Sequence, residues 1–343
     1  MRRLPILATA LLVSASGVRA DVPNIVVDIP PVFSLVSSVM QGVGTPKLLL
    51  RGNESPHNFA LRPSQRRDLG QADIIFWIGE GLTPWLEKAQ ASLTQTPISV
   101  ALGKQTGVVQ LSFREGAFFE AHDEHDEHDE HDGHDEVNGH TEHNHAETHE
   151  NAAAHDGKDH QDHAGHDHSG LDPHFWLDPE NAIHWIYTIA DILSQKDPEN
   201  AGAYYANATR TKASLELLNK NIAQQMAPHR AERFLIVHDA FQYFEARFGL
   251  AAQGAISDGH AAPPSAARIL AIRKLMQDQK ISCVFAEPGY NAKLLDNLIS
   301  ETSVRLKQLD PLGAGLPLDH TLYEAVLQNM ADMMVACFTN DEG

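Results

Sequence analysis

Positive charge is scarce in this sequence. Across 343 residues, 26 Lys and Arg face 46 Asp and Glu, a formal net charge of −20. A chain so acidic is repelled by a phosphate backbone or an anionic lipid surface, which argues against nucleic acid as its partner. Cysteine is nearly absent as well: Cys283 and Cys337 are the whole complement, without a CxxC element, and a thiolate zinc knuckle is disfavoured. Beyond the first twenty residues no long hydrophobic run exists, and even that apolar stretch is well short of the ~20 residues that span a bilayer. Histidine is what the sequence has in excess, 21 in all, with 14 of them between His122 and His168.

The N-terminus carries Arg2 and Arg3, an apolar run from Leu4 to Val13, and small residues up to Ala20. This is the pattern of an export signal cleaved after Ala20. No cysteine lies near that point to carry a lipid, so the expected mature chain is soluble in the periplasm. In an oxidising compartment the pair Cys283 and Cys337 reads as a disulfide that ties the last helix to the body of its domain.

Between His122 and His168 the 14 histidines are joined by 16 Asp or Glu and by one cation, Lys158. The segment opens as a triplet repeat, with His122, His125, His128, His131 and His134 spaced by acidic pairs or Asp-Gly. It has no hydrophobic period and too little apolar surface to offset the entropy of ordering, so the expectation is a disordered loop over 120–169. Imidazole suits zinc, copper and nickel, and the neighbouring carboxylates concentrate cations. Much of the chain's acidity is therefore local to a candidate metal-collecting loop.

On either side, short β-branched runs alternate with helical patterns. Strands are expected at Asn24–Asp28, Lys47–Leu50, Asp73–Gly79 and Val108–Phe113, with helices at Pro31–Gln41, Pro63–Gly70 and Pro84–Ser92. After the loop come a helix at Ala182–Gln195 and a long one from Asp197 to Met226, stopped by Pro228. A second alternation follows, with strands at Phe234–Val237, Ile281–Phe285 and Val304–Leu309. Its helices are expected at Ala240–Phe248, Ser265–Gln279, Ala292–Ser300 and Thr321–Cys337. Strand–helix–strand spacing of this kind implies parallel sheets in α/β layers. The expected organisation is an N-terminal α/β domain over 21–196, a linking helix over 197–227 and a C-terminal α/β domain over 228–343. A ligand belongs at the carboxyl ends of the strands, in the cleft between the halves.

Seven histidines lie outside the loop. His57 follows a strand, His238 directly follows another, and His174 closes the loop just before a helix, so all three fall at the expected cleft edge. Three imidazoles converging there would form an open tetrahedral zinc site. His184, His229 and His320 read as surface or cap positions, and His260, in a Gly-containing loop, is left unplaced.

These residues sit in blocks that resemble a known family, the zinc-binding periplasmic subunits of ABC zinc importers. The blocks are His57-Asn-Phe-Ala-Leu-Arg-Pro-Ser64, Ala72-Asp-Ile-Ile-Phe-Trp-Ile-Gly79, Asp172-Pro-His-Phe-Trp-Leu-Asp-Pro179, His238-Asp-Ala-Phe-Gln-Tyr-Phe-Glu245, Cys283-Val-Phe-Ala-Glu-Pro288 and Leu309-Asp-Pro-Leu-Gly313. The resemblance implies two pseudo-symmetric Rossmann-like α/β domains joined by a long rigid helix, with zinc in the interdomain cleft on His57, His174 and His238. It also implies a membrane permease as docking partner, a periplasmic zinc chaperone as a further candidate partner, and a monomeric chain. Where some members carry a glutamate before the first ligand, this chain has Pro56, which leaves water or Asp310 as the fourth ligand. A second site that some members build after the block at His238 lacks its histidine in Gly249–Ala255.

Another class of function starts from the same three histidines. An open three-His zinc is also how a hydrolase or lyase activates water, given a general base, and Glu287 and Asp310 are the candidates by position.

Overall fold

Proline sets where the helices of the first half begin. Pro30, Pro63, Pro84 and Pro179 each occupy the first turn of a helix: α1 (Pro30–Val39), α2 (Pro63–Gly70), α3 (Pro84–Gln90) and α4 (Pro179–Lys196). The ring presets a helical φ, and the missing N–H is one that has no partner within the helix anyway. The computed structural model describes residues 22–114, 118–119, 170–257, 264–300 and 302–340. The expected export signal, the histidine-rich loop and His260 lie outside the described residues.

Strands β1 (Ile25–Val27), β2 (Lys47–Leu48), β3 (Ile74–Trp77) and β4 (Ile98–Ala101) form one parallel sheet in the order β2-β1-β3-β4. The second half repeats it with β5 (Phe234–His238), β6 (Ala255–Ser257), β7 (Cys283–Ala286) and β8 (Arg305–Gln308), ordered β6-β5-β7-β8. Numbered within its own half, each sheet reads 2-1-3-4, which is the pseudo-symmetry the resemblance implied.

The strands alternate sides, and the alternation builds the cores. Ile25 and Val27 join Phe234 and Ile236 in one large cluster, whereas Val26 faces a separate cluster with Trp77 and Leu86. Leu235 and Val237 likewise face a third cluster with Ile272 and Leu295. The large cluster contains α1, α4, the 26-residue α5 (Ala201–Met226) and α9 (Leu322–Thr339), packed against both sheets. Helix α5, about 39 Å long at 1.5 Å per residue, is therefore part of a shared core rather than a bare strut. Both sheets belong to one compact unit. The remaining helices, α6 (Gln242–Phe248), α7 (Ala266–Asp278) and α8 (Ala292–Ile299), belong to the second half.

One strand expectation needs correction. The segment Val108–Phe113 forms no strand: Asn181 accepts from Val109 N–H and donates to its carbonyl, and Tyr243 Oη accepts from Leu111 N–H. Side chains satisfy its backbone at Val109 and Leu111, and its one antiparallel bridge is from Ser112 to Leu171. The fourth strand is instead β4, a half-exposed edge strand that carries a weak signal. The Cys283–Cys337 disulfide is present and fastens β7 to α9, with Cα atoms 6.2 Å apart.

Candidate metal centre

All three expected histidines arrive at the carboxyl ends of the sheets. His238 is the last residue of β5 rather than the first after it, His57 lies in the loop beyond β2, and His174 precedes a 3-10 turn at Phe175–Leu177 that leads into α4. Their ring centroids are 5.5 Å (His57–His174), 5.6 Å (His57–His238) and 5.1 Å (His174–His238) apart. One ring nitrogen from each lies within 4.8 Å of the others. Among the described residues this is the one group of three or more His, Cys, Asp or Glu close enough to share a metal. The rings line a cleft of roughly 230 Å³, with Trp176, Glu287 and Asp310 in its wall.

Two carboxylates hold two of the rings. Asp172 Oδ1 lies 2.7 Å from His174 Nδ1, and Glu287 Oε2 lies 2.8 Å from His238 Nδ1. An ionised carboxylate is acceptor only, so in that state each pair places the ring proton on Nδ1 and leaves Nε2 as the nitrogen suited to face a metal. This is the second layer by which proteins commonly aim and strengthen imidazole ligands. Sequence reading placed Glu287 only as a candidate base and gave Asp172 no role. The spacing Asp-Pro-His was the available signal for Asp172, because it lets one carboxylate reach both the ring and the backbone N–H of the histidine.

Burial pushes the Asp172 carboxyl up to about 7, against the opposing pull of the His174 N–H and the Arg114 charge. Burial acts the same way on Glu287, but the hydrogen bond and charge of His238, with help from His174, hold its carboxyl below the usual value.

The three loops are braced on one another. Trp85 donates its indole N–H to Pro56 O at 2.8 Å and packs on Phe59, fixing both sides of His57. Gly52, earlier in that loop, lies so close to the opposite half that a Cβ there would stand 2.6 Å from Ala314 Cα. Trp176 donates to Pro311 O at 2.8 Å, and Tyr323 of α9 donates to Trp176 O at 2.7 Å. Asp310 caps the bracing loop by accepting from Leu312, Gly313 and Ala314 N–H at 3.0, 2.8 and 2.6 Å. Its carboxylate is engaged with backbone, and it is not one of the groups within 4.8 Å of one another at the histidine cluster. His184 and His320 are exposed and His229 stacks on Phe338, and none of them belongs to the cluster.

The chain matches a family described as the periplasmic component A of zinc-uptake complexes over residues 25–337. It is 40% identical over 335 residues to the high-affinity zinc uptake system protein ZnuA of Brucella suis biovar 1, covering 97% of each chain. It is also 40% identical over 337 residues to the protein of that name from Paracoccus denitrificans, covering 98% of each. A crystal structure of ZnuA superposes with a TM-score of 0.66 at 23% identity, covering 91% of this chain and 99% of that one. At that identity the superposition speaks for the fold alone.

Proposed function

Because the chain belongs to the family of periplasmic zinc-uptake component A proteins, we propose that it captures Zn²⁺ on His57, His174 and His238 and delivers it to the permease of an ABC importer. Proteins of this family are binding components, not enzymes. The observation that carries the reading is the convergence of three ring nitrogens within 4.8 Å where the carboxyl ends of the two sheets meet.

The donor set fits the cargo. Zinc takes imidazole nitrogens at about 2.0–2.1 Å in tetrahedral geometry, which puts ligand atoms roughly 3.3 Å apart. Closing from the present spacing needs small ring and loop adjustments. Three nitrogens and no freely presented carboxylate suit zinc better than manganese, which prefers oxygen. With Asp310 capping its own loop, water is the favoured fourth ligand. The same engagement weakens the hydrolase alternative, because Asp310 and Glu287, its candidate bases, are both committed to holding structure.

Delivery through local movement of the ligand loops, rather than wide hinge opening, is supported by the helical core shared between the sheets. The histidine-rich segment is assigned an auxiliary role as weak collector or sensor, on its composition, and a periplasmic zinc chaperone is a candidate partner. Zinc-edge X-ray absorption on the loaded protein tests the ligand set. Outer-shell scattering from three imidazoles and one further light atom is expected, and a sulfur shell or a carboxylate-dominated shell contradicts it.

A further inference from the structure

The second layer of the site extends further than its two carboxylates. Arg114, 16% exposed, lies against Asp239 and Glu245, which are 4% and 2% exposed. Its Nε donates to Asp239 Oδ1 and Oδ2 at 3.1 and 3.2 Å, its Nη1 to Glu245 Oε2 at 2.8 Å, and its Nη2 to Glu245 Oε1 at 3.0 Å and to Asp239 Oδ1. One guanidinium thus satisfies two buried carboxylates in the forked geometry that only arginine supplies.

What this pairing connects is the important part. Asp239 follows His238 in the chain, and Ala240 N–H closes back on the His238 carbonyl at 2.8 Å, so Asp239 sits on the tight turn that ends the strand carrying that ring. On the other side, Phe113 N–H donates to Gly170 O and Asp172 N–H to Leu111 O, at 3.2 and 2.8 Å, pinning the strip 111–114 along 170–172. Asp172 in turn holds the His174 ring. Tyr243 closes the strip from α6 by accepting from Leu111 N–H and donating to Asp172 O, both at 2.9 Å.

We infer that Arg114 is a positioning residue of the metal centre, fastening the strip that aims His174 to the strand end that carries His238 and so setting the spacing of those two rings. Arg114 touches neither ring. It acts through Asp239 on one side and through the backbone ladder to Asp172 on the other. The inference rests on the zinc site proposed above.

Arg247 supplies the control. Its guanidinium is also bidentate, to Asp178 at 2.7 Å on both oxygens, and joins α6 to the cap of α4, but it bonds to neither Asp239 nor the strip 111–114. Wild type, Arg114→Met, Arg114→Lys and Arg247→Met are compared in full-length protein by zinc competition titration, by the visible spectrum of the Co²⁺-loaded form, and by metal-free melting temperature. Loss of a ligand-orienting partner commonly lowers metal affinity about 10–100-fold, and that loss is expected for Arg114→Met together with a changed Co²⁺ spectrum. Arg114→Lys keeps the charge without the fork and should fall between; it also serves as the test if the methionine variant does not fold. Arg247→Met should lower the melting temperature while leaving the spectrum unchanged. Zinc affinity within twofold of wild type and an unaltered spectrum in the Arg114 variants overturns the inference, as does an equal spectral change in Arg247→Met. Absence of tight zinc binding by wild type overturns the site itself and is read separately.

Discussion

Asp172 holds His174 by two atoms at once: its Oδ1 accepts the backbone N–H of His174 at 3.0 Å and faces the ring Nδ1 at 2.7 Å. The ring is fixed about its own backbone as well as in its tautomer. Gln242, with its amide oriented so that both ends are satisfied, donates to the other oxygen of Asp172 at 3.0 Å. Removing the carboxylate therefore releases the direction of the proposed ligand His174 without deleting it. Asp172→Ala is expected to weaken zinc binding about 10–100-fold and Asp172→Asn, which keeps an acceptor oxygen, by about tenfold or less. Competition titration against a chelator reads both, and wild-type affinity in the alanine variant contradicts the assignment.

Acid should empty the site. Zinc needs all three imidazoles neutral, and unperturbed imidazole takes up a proton near pH 6.5. Glu287, held below its ordinary value by the His238 hydrogen bond and charge against the effect of burial, stays ionised through that range. Below about pH 6, apparent affinity should fall by one to three decades per pH unit as one to three protons compete. Zinc titrations from pH 5 to 7.5 check this, and a flat profile would exclude imidazole ligation.

The metal-free fold should respond to pH in the opposite sense through Asp28. Its carboxylate is buried at the end of β1, accepting from Ile29 and Ile78 N–H at 2.8 Å each, and burial pushes it up to about 7. Between roughly pH 4 and 7 the folded state then keeps a proton that the unfolded chain has released, so this group's contribution to stability declines as pH rises across that window. Three pH units correspond to a loss on the order of 2–4 kcal/mol. Denaturant unfolding of the metal-free protein at pH 4 to 7.5 should show a shallower decline in Asp28→Asn than in wild type. Parallel profiles would remove Asp28 as the cause.

The disulfide should matter for stability and hardly at all for zinc. Cys283 and Cys337 are 54 residues apart in sequence, and closing a loop of that length restricts the unfolded chain by about 4 kcal/mol in the chain-entropy account. The paired Cys283→Ser, Cys337→Ser variant should unfold at clearly lower denaturant concentration and bind zinc with near wild-type affinity. A loss of affinity at temperatures where the variant is folded would mean that the α9 contacts reach the site, through Tyr323 and Trp176.

Much of this was legible before the structure. His238 stood out because a titratable residue at the end of the buried run Phe234–Val237 needs a reason to be there, and the Asp172-Pro-His174 and His57 blocks pointed to the other two histidines of the cluster. The repeated strand–helix alternation gave both sheets, though the short strands β4 and β6 carry too little pattern to separate from loop. Val108–Phe113 has the apolar alternation of a strand, but its Val109 and Leu111 N–H groups go to the Asn181 and Tyr243 side chains, partners 72 and 132 residues away. Arg114 was invisible for the same reason. Its carboxylate partners are 125 and 131 residues distant, and a lone arginine in sequence gives no sign of which buried acids it will meet.

Tight zinc is expected in the cleft and not on the histidine-rich segment. The most direct test is zinc stoichiometry and affinity by chelator competition on protein lacking His122–His168, alone and with His57, His174 or His238 changed to Ala. One tight zinc retained after the deletion and weakened by more than 100-fold with each substitution is the expected result. Loss of tight binding with the deletion alone, or indifference to the three substitutions, would place the functional metal outside the cleft and contradict the account.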